Sequence, residues 1–315
     1  MNSNIRFQEE TPKRPESEKA LNQENYALRV EKIKRSQQKK NFIAKTGAYL
    51  LLSVGAVTMV APFLWMVATS LKEPGQIFSF QKNWWEEWLP TTFVWQNYVK
   101  AWQVVPFAKF YLNSIFVTAC VTLGQVTTSA MAAYSFARLK FPGRDRIFFG
   151  YLATMMVPGA VTMIPVFILL RQFGWIDTYK ALILPGIFTA YGTFMLRQFF
   201  LTLPKDLEDA AKIDGCSYFG IFWKIILPLS KPALATLTTF TFMGAWMNFM
   251  WPLIVINTED KFTLPVGLAY FQSLHHTDWT LLMAASVMMI LPILLVFIFN
   301  QRFFVEGIKL TGIKG

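Results

Sequence analysis

The sequence predicts an all-α membrane protein of six helical spans, with a short polar helix between the fourth and fifth. Three observations predict it. The 315 residues are 54% hydrophobic and only 16% charged, where a soluble domain carries about a quarter charged residues. The mean hydropathy is +0.35. The apolar residues gather into six runs, and a helix needs roughly 20 such residues to cross a bilayer.

The elements follow in order. Residues 1–45 are polar and basic, and Pro12 and Pro15 interrupt them. This opening lacks the short basic region and apolar stretch of a signal peptide. Within it, ENYALRVEKIKRSQQKK has the composition of a charged helix at the membrane surface, a lipid-facing anchor. The predicted spans are 46–71, 110–137, 147–170, 181–201, 233–256 and 279–300, with a loop at 202–232 and a final tail at 301–315. The first three contain no charge. The fourth is shorter and reaches membrane thickness only if it runs past Arg197, whose long arm can snorkel to the interface. Pro62, Pro158, Pro165, Pro185, Pro252 and Pro292 fall in the spans and predict kinks there.

Six spans place both termini on one side. Lys and Arg choose it: 23 fall in the segments sharing the termini's side and 7 in the others. Both termini are therefore expected in the cytoplasm. The same distribution assigns the net charge of +11 to topology and excludes a phosphate-binding groove, so no nucleic-acid partner is expected. NWWEEWLP, Asn83 to Pro90, in the first outer loop suits a segment lying in the interface; a carbohydrate-stacking platform is the sharper reading. Cys120 in a span and Cys216 in a loop read as structural thiols. His275, His276 and Asp278 are closer to an exposed loop than to a metal site.

The stretch DLEDAAKIDGCSYFGIFWKIILPLSKP, Asp206 to Pro232, is the most informative. Pro204 suits the first turn of a new helix. Asp206, Glu208 and Asp209 favour its positive end. Leu207, Ala210 and Ala211 recur at i, i+3, i+4 and give a small apolar face, and Gly215 is placed to end the helix in a left-handed conformation. From pattern alone, the face either docks into another protein or only closes a loop.

DAAKIDGCSYFGIFWKIILP, Asp209 to Pro228, resembles the EAA signature of permease subunits of bacterial ATP-binding-cassette importers. Ala210, Ala211, Gly215, Ile225, Leu227 and Pro228 match at the signature's spacing; Asp209 stands where the signature has Glu. FYLNSIFV, YSFARLKFPGRD, FMLRQFFLTLPKDLEDAAKIDG and the C-terminal QRFFVEGIKLTGIKG resemble the carbohydrate-uptake branch, nearest the smaller permease of maltose-type importers. The resemblance covers about residues 45–315 and does not explain the tail before them. It implies the type I importer permease fold in a bacterial inner membrane. It also implies four kinds of partner: a second homologous permease, two ATPase subunits that carry the ATP and Mg, an extracytoplasmic solute-binding protein, and lipid. In that family the loop helix is the coupling helix, so Glu208, Asp209, Ala210, Ala211, Asp214 and Gly215, with Ile225, Leu227 and Pro228, are expected at the ATPase-docking element. Glu208 and Asp214 either pair with ATPase basic groups or are solvated. The segment from Val305 to Gly315 is expected to reach the ATPases.

No G-x-x-x-x-G-K-[ST], G-x-S-x-G or H-E-x-x-H pattern occurs, so the chain is read as a non-catalytic transport subunit with no cofactor of its own. A stand-alone ion-coupled transporter would want intramembrane acids or bases, against the uncharged span interiors. The cargo reads as an oligosaccharide or other sugar, with a polyol, glycerol phosphate or other small solute as the alternative. In GAWMNFMWPL, Trp246, Asn248, Phe249 and Trp251 set an amide among aromatics, as a sugar contact or as ordinary helix packing. The loop Asn257–Asp278 is the candidate contact for an external binding protein.

Overall fold

The computed structural model of the chain describes residues 16–77, 84–272 and 277–312. Asn83, His275 and His276 lie outside them, so the His275–His276–Asp278 and outer-loop expectations rest partly beyond what is described. The side chains after Phe303, on which the C-terminal expectation rests, are also outside. Among the described residues there is no named β-strand and no cluster of three or more metal-ligating side chains.

The chain divides into two compact units, residues 1–64 and 65–315. The first is carried by one helix, α1 (Glu16–Ser70), which runs from the charged tail into the first apolar segment without a break at residue 45. Thr58 bonds back to the Val54 and Gly55 carbonyls, so its hydroxyl is satisfied inside an apolar helix. Leu50, Leu51 and Leu64 are exposed, a surface suited to lipid.

The second unit is built around α3 (Phe107–Arg138), preceded by α2 (Gln96–Val104). After α3 come α4 (Arg144–Ala153), α5 (Gly159–Gln172), α6 (Tyr179–Ile183) and α7 (Ala190–Thr202). The polar loop holds α8 (Asp206–Ile213), α9 (Tyr218–Ile221), a π-helical turn Phe222–Ile226 and α10 (Leu227–Leu229). Then follow α11 (Lys231–Trp246), α12 (Met250–Val255), α13 (Leu264–Leu268) and α14 (Trp279–Gly312). α3 packs on α7 and α11, and α11 packs on α14. Small residues allow the approach: Ser129, Ala130, Ala133 and Ala137 are buried on α3, and a Cβ on Gly192 of α7 would lie 2.6 Å from Ser129 Oγ. This is the close packing that small residues permit between membrane helices.

Among the described residues, three helical stretches are long and apolar enough to cross a membrane, Gln37–Ser70, Phe107–Arg138 and Trp279–Phe303. Two bent pairs bring the number to five if each is one span. The other predicted spans are broken. The 147–170 span turns by 100° between Met156 and Gly159; Val157 is extended (ψ 118°) before Pro158, the geometry a following proline imposes. The 181–201 span is split into α6 and α7 around Pro185. The 233–256 span stops at Trp246 and resumes at Met250, with Pro252 in the new first turn where its missing N–H is no loss.

Candidate functional site

Three constellations stand out: the helix α8, a cavity between the broken helices, and a polar clamp at the opposite end.

In α8, three acidic residues occupy the first turn. Pro204 stands ahead of the helix, before the N-cap Lys205, and not in its first turn as expected. The C-terminus is closed by a Schellman motif: Gly215 is left-handed at φ 79°, its N–H bonds the Lys212 carbonyl at 3.0 Å, and the Cys216 N–H bonds that of Ala211 at 2.9 Å. The expected apolar face is split. Ala211 turns inward onto a cluster with Ala133, Ala137 and Phe222, against which Ile225 and Leu227 also pack. Pro228 is exposed; lacking an N–H for the Lys224 carbonyl, it accounts for the widened π turn before it. Leu207, Asp209, Ala210, Asp214 and Gly215 face outward, joined by Ile213 at 86% exposure. Asp209 accepts from Lys212 Nζ at 3.0 Å, a bond that raises the lysine's pKa.

Glu208 is different. Its side chain is buried at 7% exposure and meets Arg138, buried at 3%, with Oε1 and Nε 2.8 Å apart. The contact is an ion pair bent away from hydrogen-bond geometry, and neither atom has a hydrogen-bond partner among the described residues. Arg138 Nη2 donates to the carbonyls of Phe200 and Leu203 at 2.5 and 2.7 Å, at the end of α7, where the Phe200 carbonyl also accepts from the Leu203 N–H at 3.2 Å. Glu208 is thus paired within the chain, not solvated or presented to a partner as sequence reasoning allowed.

The cavity, about 870 Å³, is lined from α3, α5, α11 and α12 by residues that include Gln125, Thr162, Thr241, Asn248 and Trp251. The amide–aromatic cluster is divided by it. Asn248 and Trp251 line the cavity, and Trp251 Nε1 donates to the Ala181 carbonyl at 2.9 Å. Phe249 is partly exposed outside the lining. Trp246 is core: it stacks on Phe242 with centroids 5.7 Å apart and donates to the Met289 carbonyl. The hydroxyls of Thr241 and Thr263, both lining residues, are buried with no hydrogen-bond partner among the described residues. Sequence reasoning missed most of this wall, although Leu237, Thr241, Gly244 and Asn248 follow one another at the helical spacing of three to four residues.

At the far end, Asp177 is held in the left-handed region at φ 61°. It accepts from the N–H groups of Asn257 and Thr258, both at 3.0 Å, from the Thr258 hydroxyl, and from Lys261 Nζ at 3.0 Å. Burial opposes ionisation, but these bonds outweigh it and hold the carboxyl well below the usual carboxylate range. Asn113 extends the clamp, donating to the Asp260 and Phe262 carbonyls and accepting from Tyr179. The loop after α12 is therefore fixed to α3, to the connection between α5 and α6, and through Asn113 to Tyr179 of α6. Asp177→Asn is expected to lower stability by about 1.5–3 kcal/mol, the range for a hydrogen bond to a charged group. A depressed folded pKa stabilises above the unfolded value of about 3.9 and is lost as pH falls through the folded one. The Tm gap between wild type and variant should thus stay constant from pH 8 to about 5 and close only in stronger acid; a gap that closes near pH 6 would contradict it.

Comparison with known proteins places this geometry. The chain is 38% identical over 227 residues to the arabinooligosaccharides transport system permease protein AraQ of Halalkalibacterium halodurans, covering 72% of this chain and 81% of the relative. It is 32% identical over 269 residues to the sn-glycerol-3-phosphate transport system permease protein UgpE of Yersinia pestis, covering 82% and 94%. Its fold matches a chain of a bacterial ABC transporter involved in the import of the acidic polysaccharide alginate, with a TM-score of 0.74 at 24% identity over 83% of this chain and 96% of that one. Residues 125–309, which include α8, most of the cavity wall and the Asp177 clamp, match the family described as binding-protein-dependent transport system inner membrane component, and this chain belongs to it.

Proposed function

We propose that the chain is a permease subunit of an ATP-driven importer for an oligosaccharide or related sugar, moving its cargo by alternating access. The observation that carries the cargo class is the cavity wall. It offers hydroxyls and amides from Gln125, Thr241, Thr263 and Asn248 beside the Trp251 ring, the mixture that sugars use for hydrogen bonding and stacking. AraQ supports the same reading. A second reading, glycerol phosphate, is favoured by the likeness to UgpE.

The machine needs six crossings: α1, α3, α4 with α5, α6 with α7, α11 with α12, and α14. Both termini and α8 lie in the cytoplasm, and the Asp177 clamp and the loop 257–278 lie outside, toward a binding protein. A homologous permease completes the pathway. Two ATPase subunits hold the ATP and Mg, and the outward face of α8, with Leu207, Asp209, Ala210 and Ile213, docks on one of them. Gly215→Val would force a β-branched residue to φ 79°, strained whatever the space. ATP hydrolysis in that variant should continue while uptake falls by about tenfold or more, in line with a coupling energy of 1–3 kcal/mol; normal uptake would refute the docking assignment.

The deciding experiment purifies the chain from native membranes in mild detergent, identifies its companions, and reconstitutes them in vesicles. Recovery of a second permease and a P-loop ATPase, with ATP-dependent uptake of labelled arabino-oligosaccharides, supports the first reading. Uptake of sn-glycerol 3-phosphate alone supports the second. Recovery of the chain without an ATPase, under conditions that preserve other membrane complexes, sinks both.

A further inference from the structure

We propose that the Arg138–Glu208 pair is the strut that carries motion of α8 into α3 and so into the cavity wall. The inference rests on the proposed docking of α8. By sequence, α8 is tied to its neighbours only through Leu203–Lys205, toward α7, and through residues 214–230, toward α11. Neither link reaches α3, which α8 otherwise meets through the apolar cluster that holds Ala211 with Ala133 and Ala137. Arg138 is the last residue of α3, and its guanidinium holds two carbonyls at the end of α7 and the Glu208 carboxylate in the first turn of α8. One planar group therefore fastens three helix ends. A guanidinium suits this, because Nη2 donates to both carbonyls while its permanent charge attracts the Glu208 carboxylate without an aligned N–H. Both partners are buried, so the tie is little screened by solvent salt.

The other end of α3 matters to transport. Ser114, Val117, Thr118, Val121 and Gln125 line the cavity. Gln125 lies about 20 Å from Arg138 along a helix that rises 1.5 Å per residue. A push on α8 that tilts the Arg138 end must shift that wall, because α3 is a continuous helix with no proline inside it. Glu208 thus serves as a positioning residue on the inward side of α8, while Asp209, Ala210 and Ile213 face the partner.

The test uses the complete importer, with its permease partner, ATPases and binding protein, in vesicles. Gln125→Cys is introduced with Cys120→Ser and Cys216→Ser, and its labelling by a maleimide is timed without nucleotide and in the ATP–vanadate-trapped state. With Glu208 intact, the two rates should differ by about fivefold or more, the usual scale of an allosteric coupling. In Glu208→Gln the ATPases should still co-purify and hydrolyse ATP, while the two labelling rates converge. A strut that only stabilised the fold would lower the amount of complex without erasing the nucleotide response of what remains, and that outcome overturns the proposal. So does an unchanged response in Glu208→Gln. Loss of the ATPases from Glu208→Gln alone also overturns it, since Glu208 would then be a docking contact. Absence of ATPases from the wild-type complex is a separate result, which removes the docking reading and the inference with it. If Glu208→Gln does not accumulate, Glu208→Asp is read instead. It keeps the charge on a shorter arm and should give a weakened response; a full response there refutes the strut.

Discussion

Arg138→Ala is expected to destabilise the chain by about 3–5 kcal/mol, the usual loss when one member of a buried ion pair is removed. The carboxylate of Glu208 would be stranded, and the carbonyls of Phe200 and Leu203 would lose their shared donor. Thermal unfolding of the detergent-solubilised protein, followed by tryptophan fluorescence, reads the effect. The double variant Arg138→Met/Glu208→Leu should be destabilised by clearly less than the sum of the single losses. Apolar groups leave no buried charge behind, and residues in direct contact are not additive. An Arg138→Ala protein within about 0.5 kcal/mol of wild type, the range of an unremarkable surface change, would mean that the pair is wet and the burial illusory.

The second large effect is expected at Gly267. It sits in α13, and a Cβ there would overlap the ring of Phe110, which is fully buried beside Leu264 and Phe271. Gly267→Ala adds one methyl group in a space already filled. Overpacking of this kind costs about 1–3 kcal/mol, and here the displaced helix also carries the Leu264 N–H away from Ser114 Oγ, 2.7 Å distant. Limited proteolysis should cut the 257–278 loop faster in the variant. Phe110→Leu placed in the same chain should restore part of the lost stability by making room. Failure of that second change to help would locate the strain elsewhere.

Much of this architecture could be read in the sequence because it is written locally. α3 and α14 are long apolar runs, and the structure keeps them as single helices. The start and stop of α8 were legible because acidic residues crowd its first turn and Gly215 closes it, both effects of backbone groups within one turn. The break at Val157 falls at Pro158, one of the prolines where a kink was expected; the break at Met247, five residues before Pro252, was not legible. Hydrophobic periodicity is blind to a bend inside an apolar run, and the prolines beside them mark several places of which only some open. The site divides the same way. The stripe Leu237, Thr241, Gly244, Asn248 carries a helical period and could have been found. Arg138 with Glu208, and Asp177 with Thr258 and Lys261, pair residues far apart in the chain; no local pattern announces them. Reading Leu207, Ala210 and Ala211 as one face failed for a related reason, since the cluster that claims Ala211 is assembled from α3, α7, α9, the turn after it and α11.

The Arg138 tie also bears on biogenesis. The carbonyls it satisfies are synthesised 62 and 65 residues after it, and Glu208 emerges later still. A ribosome feeding this chain into the bilayer therefore releases α3 with an uncompensated cation at its end. That guanidinium must stay in contact with water or lipid phosphate until α7 and α8 arrive. The last residue of α3 is thus held first by its own solvation and only afterwards by its partners.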